Sequence, residues 1–308
     1  MHFQPRSEAT DPFIIPSNSS FTACESQHSV KSTDVLYREL SYSKYSTNNK
    51  QVINSEDTLK PTPRQTPSGS ASFTSCSFTS LSSTTSGGAI YLTQKDASLT
   101  IAMCSFTDCK AKKGSGGGIY ANPAKEVIIL ESTFLRCNVI SSNNGGEGGG
   151  CAYIYSVDQK VQIIYTSFIS SSVPYDSGGI HMRSCNAPEN TFITFQHCIF
   201  IACKGDDSDG GGIMAWGNNY NVGISNVLFC ECSNKNGGAF VLSVLSSATT
   251  PFISFCLFYR NSATANGQDI YFNNCGTNPI SHSFTTSSRM DRVYLAENSN
   301  AYQYNWLT

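Results

Sequence analysis

Two short motifs alternate along this chain at intervals of about 30 residues, and no other feature restricts its fold as strongly. The first motif is a phenylalanine followed three residues later by cysteine, as in Phe200 and Cys203. The second is a glycine pair shortly before an apolar residue, as in Gly211, Gly212 and Ile213. A fixed period near 30 residues predicts a solenoid, in which each repeat is one supersecondary unit stacked on the next.

Seven copies of this pair are present, and the intervals between their phenylalanines range from 28 to 34 residues. The phenylalanines are Phe78, Phe106, Phe134, Phe168, Phe200, Phe229 and Phe258, and a weaker eighth copy begins at Phe284. The third positions after them are Leu81, Cys109, Cys137, Ser171, Cys203, Cys232 and Asn261. The glycine pairs are Gly87–Gly88, Gly117–Gly118, Gly149–Gly150, Gly178–Gly179, Gly211–Gly212 and Gly237–Gly238, with Gly267-Gln268 in the seventh copy. The apolar residues that follow are Ile90, Ile119, Cys151, Ile180, Ile213, Phe240 and Ile270.

The apolar runs between the motifs predict strands. They are short and rich in β-branched and aromatic residues, as in residues 98–103 and 192–195, and Ser, Asn and Gly bound them. Each copy offers three strands: the residues after the glycines, the middle run and the segment around the phenylalanine. Strands that stack on their equivalents one turn later form a parallel β-helix, with the phenylalanines as an internal ladder and glycines at a corner where a Cβ has no room.

The alternation of GG(A/G)I with FxxN or FxxC over residues 70–290 resembles the repeat of the polymorphic outer membrane proteins (the Pmp-type repeat). That family favours asparagine in FxxN, whereas here asparagine occurs only at Asn261. The FxxC form is similar to repeats in surface proteins of eukaryotic microbes, which are predicted to have the pectin-lyase-like fold. The resemblance implies an all-β, right-handed parallel β-helix, here of seven to eight turns, and a place at a cell surface.

Three regions are expected. Residues 71–290 form the β-helix, and residues 291–308 form a C-terminal tail or cap. Residues 1–70 form an N-terminal cap and linker, with a degenerate turn at Phe21–Cys24 and a short helix over residues 33–42. A cap is expected because the open end of a β-helix otherwise exposes unpaired strand edges.

Composition excludes several functions. Only 14% of the residues are charged and the net charge is −2, so the basic stripe of a nucleic-acid-binding protein is missing. No stretch is long and apolar enough to span a membrane. Residues 1–20 lack the apolar core of a signal peptide, so the chain is expected to be either a fragment of a surface protein or intracellular.

The chain contains 13 cysteines, several of which share columns of the predicted helix. Cys109 and Cys137 are in-register neighbours, as are Cys203 and Cys232. Neighbouring Cα atoms about 4.8 Å apart permit disulfides, but parallel Cβ directions favour buried thiols, and both states stay open. None of the spacings matches a zinc site, and neither a metal nor a cofactor is expected.

Few residues point to chemistry. Asp206, Asp207 and Asp209 form the one acidic cluster, which could serve as acid and base in glycoside hydrolysis or bind Ca²⁺. Residues 204–207 look like the paired-aspartate motif of polygalacturonase-type hydrolases, but the NTD, GHG and RIK signatures of that family are absent. Trp216 and Tyr220 could stack on sugar rings.

These observations favour a non-enzymatic adhesion or recognition module, extracellular or on the cell surface. Its partner would be a host or cell-surface protein or a glycan. The alternative is a carbohydrate-active enzyme, a polysaccharide lyase or a glycoside hydrolase, centred on the acidic cluster.

Overall fold

A computed structural model describes residues 51–54, 64–122, 124–141, 148–155, 157–184, 191–217, 220–244, 252–273, 281–286, 293–295 and 303–306. These residues form parallel β-strands, and none of them is helical. The predicted degenerate turn at Phe21–Cys24 and the helix over 33–42 lie outside the described residues.

Each copy of the repeat contributes four strands, one more than the sequence predicts. They are named here in chain order as the middle, phenylalanine, short and glycine strands. The middle strands are Ala71–Thr74, Ser98–Ala102, Ala124–Leu130, Val157–Ile164, Thr191–Gln196, Tyr220–Ser225 and Phe252–Tyr259. The phenylalanine strands are Ser77–Thr79, Ser105–Thr107, Thr133–Leu135, Ser167–Ile169, Ile199–Ile201, Leu228–Cys230 and the second half of Phe252–Tyr259. The short strands are Ser82–Ser83, Lys110–Ala111, Asn138–Val139, Ser172–Val173, Lys204–Gly205, Ser233–Asn236 and Ser262–Asn266. The glycine strands are Ile90–Leu92, Ile119–Ala121, Ala152–Tyr155, Ile180–Ser184, Ile213–Gly217, Phe240–Val244 and Ile270–Phe272.

Equivalent strands of successive copies pair in parallel and in register, so the chain folds as a β-solenoid. The short strands form a seven-stranded sheet and the glycine strands an eight-stranded sheet that includes Val293–Leu295. The middle and phenylalanine strands join in a 16-stranded sheet because Phe252–Tyr259 runs through both positions. Gln51–Asn54 pairs with the first middle strand, and Ser281–Thr286 and Gln303–Trp306 extend the last one. The predicted parallel β-helix is therefore confirmed, and seven copies agree with the predicted turn count.

The fourth strand exists because the FxxC motif crosses a corner instead of lying within one strand. The residue before each cysteine-type position has a positive φ, for example +55° at Asp108 and +52° at Arg136. A second corner of the same kind separates each middle strand from the phenylalanine strand that follows, as at Glu131 (φ +45°). Non-glycine residues rarely adopt this conformation, so neither corner could be read from glycine placement.

The phenylalanines form the predicted internal ladder. All seven are at most 1% exposed. Their rings stack turn upon turn, with centroid separations from 4.4 Å for Phe106 and Phe134 to 5.3 Å for Phe229 and Phe258. Offset stacking of aromatic rings at this distance adds to the apolar burial that stabilises each turn.

The glycine motif is confirmed, but its register differs from the predicted one by one residue in several copies. Ile119 pairs with Ala152, so Ala152 and not Cys151 is the apolar residue of the third copy. Three or more consecutive small residues precede it, which made the sequence register ambiguous. The residue three positions before the apolar residue is a glycine with a positive φ in most copies, as at Gly87 (+65°). The glycine that follows it packs against the next turn: a Cβ on Gly88 would lie 2.1 Å from the carbonyl oxygen of Gly117.

The in-register cysteines are buried thiols, which settles the question left open above. Cys109, Cys137, Cys203 and Cys232 are all 0% exposed and carry no disulfide. Each Sγ–H donates to a phenylalanine carbonyl of the preceding turn, for instance Cys203 to Phe168 at 3.4 Å. Among the described cysteines, Cys230 is the one that is disulfide-bonded.

Candidate functional site

The acidic cluster lies at the corner between the short and glycine strands of the fifth copy, and the structure divides it. Asp206 and Asp207 are exposed. The Asp207 carboxylate lies 3.3 Å from Nζ of Lys235, and both side chains are well solvated, so this ion pair contributes little to stability. Asp209 is half-buried and accepts a 2.8 Å hydrogen bond from Nδ2 of Asn236. Only one of the three predicted aspartates is therefore held in place by its surroundings.

Asp176, on the preceding turn, completes the site and was not singled out from the sequence. The hydroxyl of Ser208 donates to its Oδ1 at 2.8 Å, and the backbone N–H of Gly148 donates to its Oδ2 at 3.1 Å. Nδ1 of His181 lies 3.3 Å from the same Oδ2. Three consecutive turns thus converge on one carboxylate, with His181 only 2% exposed.

The two half-buried aspartates have pKa values displaced in opposite directions. Burial raises the pKa of Asp209, and the negative charge of Asp176 raises it further, although the hydrogen bond from Asn236 opposes both. Burial also acts to raise the pKa of Asp176, but the contacts with His181, Ser208 and Gly148 outweigh it and leave that pKa below its ordinary value. Opposite displacement of the pKa values of two neighbouring carboxyls is a feature that acid–base sites share.

The same geometry limits the chemistry of the site. Ser208 and His181 both contact Asp176, so the carboxylate occupies the middle of the trio. In a Ser-His-Asp triad the histidine lies in the middle and removes the serine proton. Ser208 is consequently not activated as a nucleophile here. Within the described residues, no group of three or more His, Cys, Asp and Glu side chains is arranged to hold a metal ion.

The two predicted aromatic ligand residues lie in different sheets. Trp216 belongs to the glycine strand Ile213–Gly217, whereas Tyr220 opens the middle strand Tyr220–Ser225. The predicted pairing of these two residues on one face therefore has no support from their strand positions.

Trp216 instead belongs to a column of outward residues on the glycine strands. Tyr155, Arg183 and Trp216 are register partners on three successive turns. The guanidinium carbon of Arg183 lies 4.3 Å from the ring centroid of Trp216 and 5.9 Å from that of Tyr155. All three residues are half-buried. We call them the arginine column.

The arginine column adjoins a second outward column, on the same strands, that is much less accessible. Tyr153 and His181 are 2% exposed and Val241 is 0% exposed. The ring of His181 packs edge-on against Tyr153 at a centroid distance of 5.2 Å. On the turns that carry Tyr155, Arg183 and Trp216, the arginine column is therefore the more accessible of the two columns.

Sequence reasoning missed Tyr155 and Arg183, yet a signal was present. Each member of the arginine column lies three residues after the apolar residue of its glycine motif. The assignment of Cys151 to that apolar position displaced Tyr155 from the column by one residue. With Ala152 in that position, the three residues align.

Comparison of the chain with protein-family models gave no match. Comparisons with curated proteins and with solved structures gave none either. Over the described residues, the structure contains no helix of a length and apolarity that would cross a bilayer. The function is therefore argued from two features, the arginine column and the corner that holds Asp176, Ser208 and Asp209. We call this second feature the acidic corner.

Proposed function

We propose that this chain is a non-enzymatic recognition module, acting in adhesion at a cell surface or outside the cell. The observation that carries this proposal is the arginine column, in which a guanidinium is stacked between two aromatic rings at fixed register positions. The resemblance of the repeat to the Pmp type supports a surface location.

The arginine column is suited to binding because its side chains are ordered before a partner arrives. Contact with the two rings orders the guanidinium at a fixed register position, and guanidinium is the side-chain group that best matches the planar geometry of a carboxylate. Aromatic edges beside such a donor favour a sugar ring or an aromatic side chain. A partner that fits is a cell-surface protein or glycan with an acidic group.

A binding experiment tests this proposal. The protein and its Arg183→Lys and Trp216→Ala variants would be applied to arrays of acidic glycans and to intact cells. We expect both substitutions to abolish retention, because lysine cannot stack as a plane and alanine removes the platform. Arg260→Ala is the matched control, since Arg260 stacks on Tyr259 at 4.9 Å on another sheet. Equal retention of all variants would contradict the proposal.

The acidic corner supports a second candidate, a carbohydrate-active enzyme. The specific observation in its favour is the opposite displacement of the pKa values of Asp176 and Asp209, which would suit a base and an acid. Release of reducing or unsaturated sugar ends from neutral and acidic polysaccharides tests it. Activity that disappears in Asp209→Asn and persists in Asp206→Asn would replace recognition by catalysis as the proposed function.

A further inference from the structure

A second outward face, on the middle strands of copies five to seven, carries exposed aromatic rings. Phe192 is 53% exposed and Phe252 is 52% exposed, although both lie within regular strands. Their chain neighbours Ile193 and Ile253 are at most 4% exposed, which fixes the phenylalanine rings on the outer side. Two exposed aromatic rings on one face of the solenoid, two turns apart, form a candidate contact surface.

A gap separates the two rings. Phe192 is the register partner of Asn221, and Gly223 is the partner of Phe252, so the turn between the rings presents an amide and a glycine. A Cβ built on Gly223 would meet no atom within 4 Å. Glycine in a strand interior weakens the strand and often marks a place where another molecule approaches the backbone. We call Phe192, Asn221, Gly223 and Phe252 the phenylalanine notch.

We propose that the phenylalanine notch is a binding site for an uncharged polysaccharide, whose sugar rings stack on Phe192 and Phe252 and whose chain crosses the backbone at Gly223. This inference rests on the proposed recognition function and names a ligand class and a second contact surface for it.

The chemistry of the notch favours a sugar over a protein or a lipid. The outward residues of this face on copies five to seven are Phe192, Thr194, Gln196, Asn221, Gly223, Ser225, Phe252 and Ser254, and none is charged. Amides and hydroxyls between separated rings match the alternating hydroxyls and apolar faces of a sugar. A protein or lipid partner would call for a contiguous apolar patch, which the Asn221 and Thr194 positions interrupt.

Charge at the border of the notch is also compatible with a neutral ligand. Lys160 is the register partner of Phe192 on the preceding turn, and its Nζ lies 2.9 Å from Oε1 of Glu126. The ammonium of Lys160 is thus paired with a carboxylate. The site therefore complements an uncharged chain, unlike the arginine column.

The spacing of the rings fits a chain of sugars. Phe192 and Phe252 lie two turns apart and two residues apart along the strand direction, so their Cα atoms are roughly 12 Å apart at the usual strand separation and rise. That separation is comparable to the span of a disaccharide. Because both rings are fixed on regular strands, a ligand loses little affinity to reorganisation of the site.

The decisive variant is Gly223→Val, which fills the notch without touching the interior. Valine favours strands and its Cβ meets open space, so the variant should fold at least as well as the parent. Binding of soluble neutral polysaccharides (laminarin, mannan, dextran and mixed-linkage glucan) would be measured by affinity electrophoresis and titration calorimetry. We expect the parent to bind at least one of them, and Gly223→Val and Phe252→Ala each to weaken that binding about tenfold.

The matched control is Thr100→Val, which lies in the same register column as Gly223 but four turns away from it. It should bind as the parent does. Absence of binding by the parent to the whole panel would overturn the inference, and so would unchanged binding by Gly223→Val. Failure of the arginine column is distinguishable, because Arg183→Lys leaves the phenylalanine notch intact and affects only acidic ligands.

Discussion

The backbone N–H of Cys232 donates to Oδ1 of Asn261 at 2.9 Å, and Nδ2 of Asn261 donates to the carbonyl of Phe229 at 3.1 Å. One turn earlier, the thiol of Cys232 itself donates to the carbonyl of Phe200 at 3.6 Å. An amide and a thiol thus fill the same column position, and each donates to the phenylalanine carbonyl of the preceding turn. This equivalence explains why both cysteine and asparagine occur at the third position after the phenylalanine in this chain: each supplies a buried donor to a backbone carbonyl at the corner.

The equivalence predicts how substitutions at Cys203 rank. Cys203→Ser should cost about 1 kcal/mol, because Ser171 fills the same column position in the preceding copy and shows that a hydroxyl is tolerated there. Cys203→Ala should cost about 2–3 kcal/mol, because it removes the thiol that donates to the carbonyl of Phe168 and opens a small cavity. Urea unfolding of the two variants measures the difference. Equal losses would show that the thiol acts only as an apolar filler.

Burial of the thiols predicts that they do not react with thiol reagents in the folded protein. Burial raises the pKa of Cys198 and of Cys256 to about 12 each. At about pH 8 their thiolate fraction is negligible, and the thiolate is the reactive species. Peptide mapping after treatment with an aromatic disulfide reagent should find both residues unmodified in native protein and modified in denaturant. Native-state labelling of either residue would mean that these corners open readily.

Much of the fold could be predicted because the repeated residues are the ones that stack on their equivalents in neighbouring turns. A phenylalanine at every turn needs an equivalent ring above and below it, so Phe134 and its neighbours revealed both the period and the interior. The fourth strand could not be predicted, because it depends on a corner residue with positive φ, such as Asp108 or Arg136. The side chains at these positions give no sequence signal for that backbone conformation. Chains of consecutive glycines likewise conceal which one packs against the next turn.

The tight contact at the second glycine column predicts a severe substitution at Gly88. An added Cβ would lie 2.1 Å from the Gly117 oxygen and 2.7 Å from the backbone nitrogen of Lys110, and neither backbone atom can move alone. Gly88→Ala should therefore destabilise the protein by more than about 3 kcal/mol. Gly69→Ala is the control, because a Cβ there meets nothing within 4 Å. Thermal unfolding compares them, and similar melting temperatures would contradict the packing described.

The candidate site was harder to predict than the fold because its members are distant in the sequence. Asp206, Asp207 and Asp209 attracted attention as neighbours in the chain, but the residues that act on the Asp209 carboxyl are Asn236, 27 positions later, and Asp176, 33 positions earlier. Only the register of the solenoid brings the two carboxylates to adjacent turns. A column, not a segment, is thus the unit in which function should be sought in this fold.

Asp209 leads to a prediction about stability and pH. Its pKa is raised in the folded protein, so the folded state favours the protonated form, and this contribution to stability is lost as the pH rises through that pKa. Asp209→Asn keeps an oxygen that can accept from Asn236 but removes the charge beside Asp176. We expect the variant to be more stable than the parent by about 0.5–1 kcal/mol at neutral pH.

That advantage should vanish below about pH 4, where the aspartate is protonated in both the folded and the unfolded states. Urea unfolding across this pH range measures it. Asp206→Asn is the matched control, because it removes the same charge from an exposed side chain of the same loop. If Asp209→Asn is less stable than the parent at neutral pH, the ionised Asp209 carboxylate stabilises the acidic corner. That result would contradict the destabilising repulsion between Asp209 and Asp176.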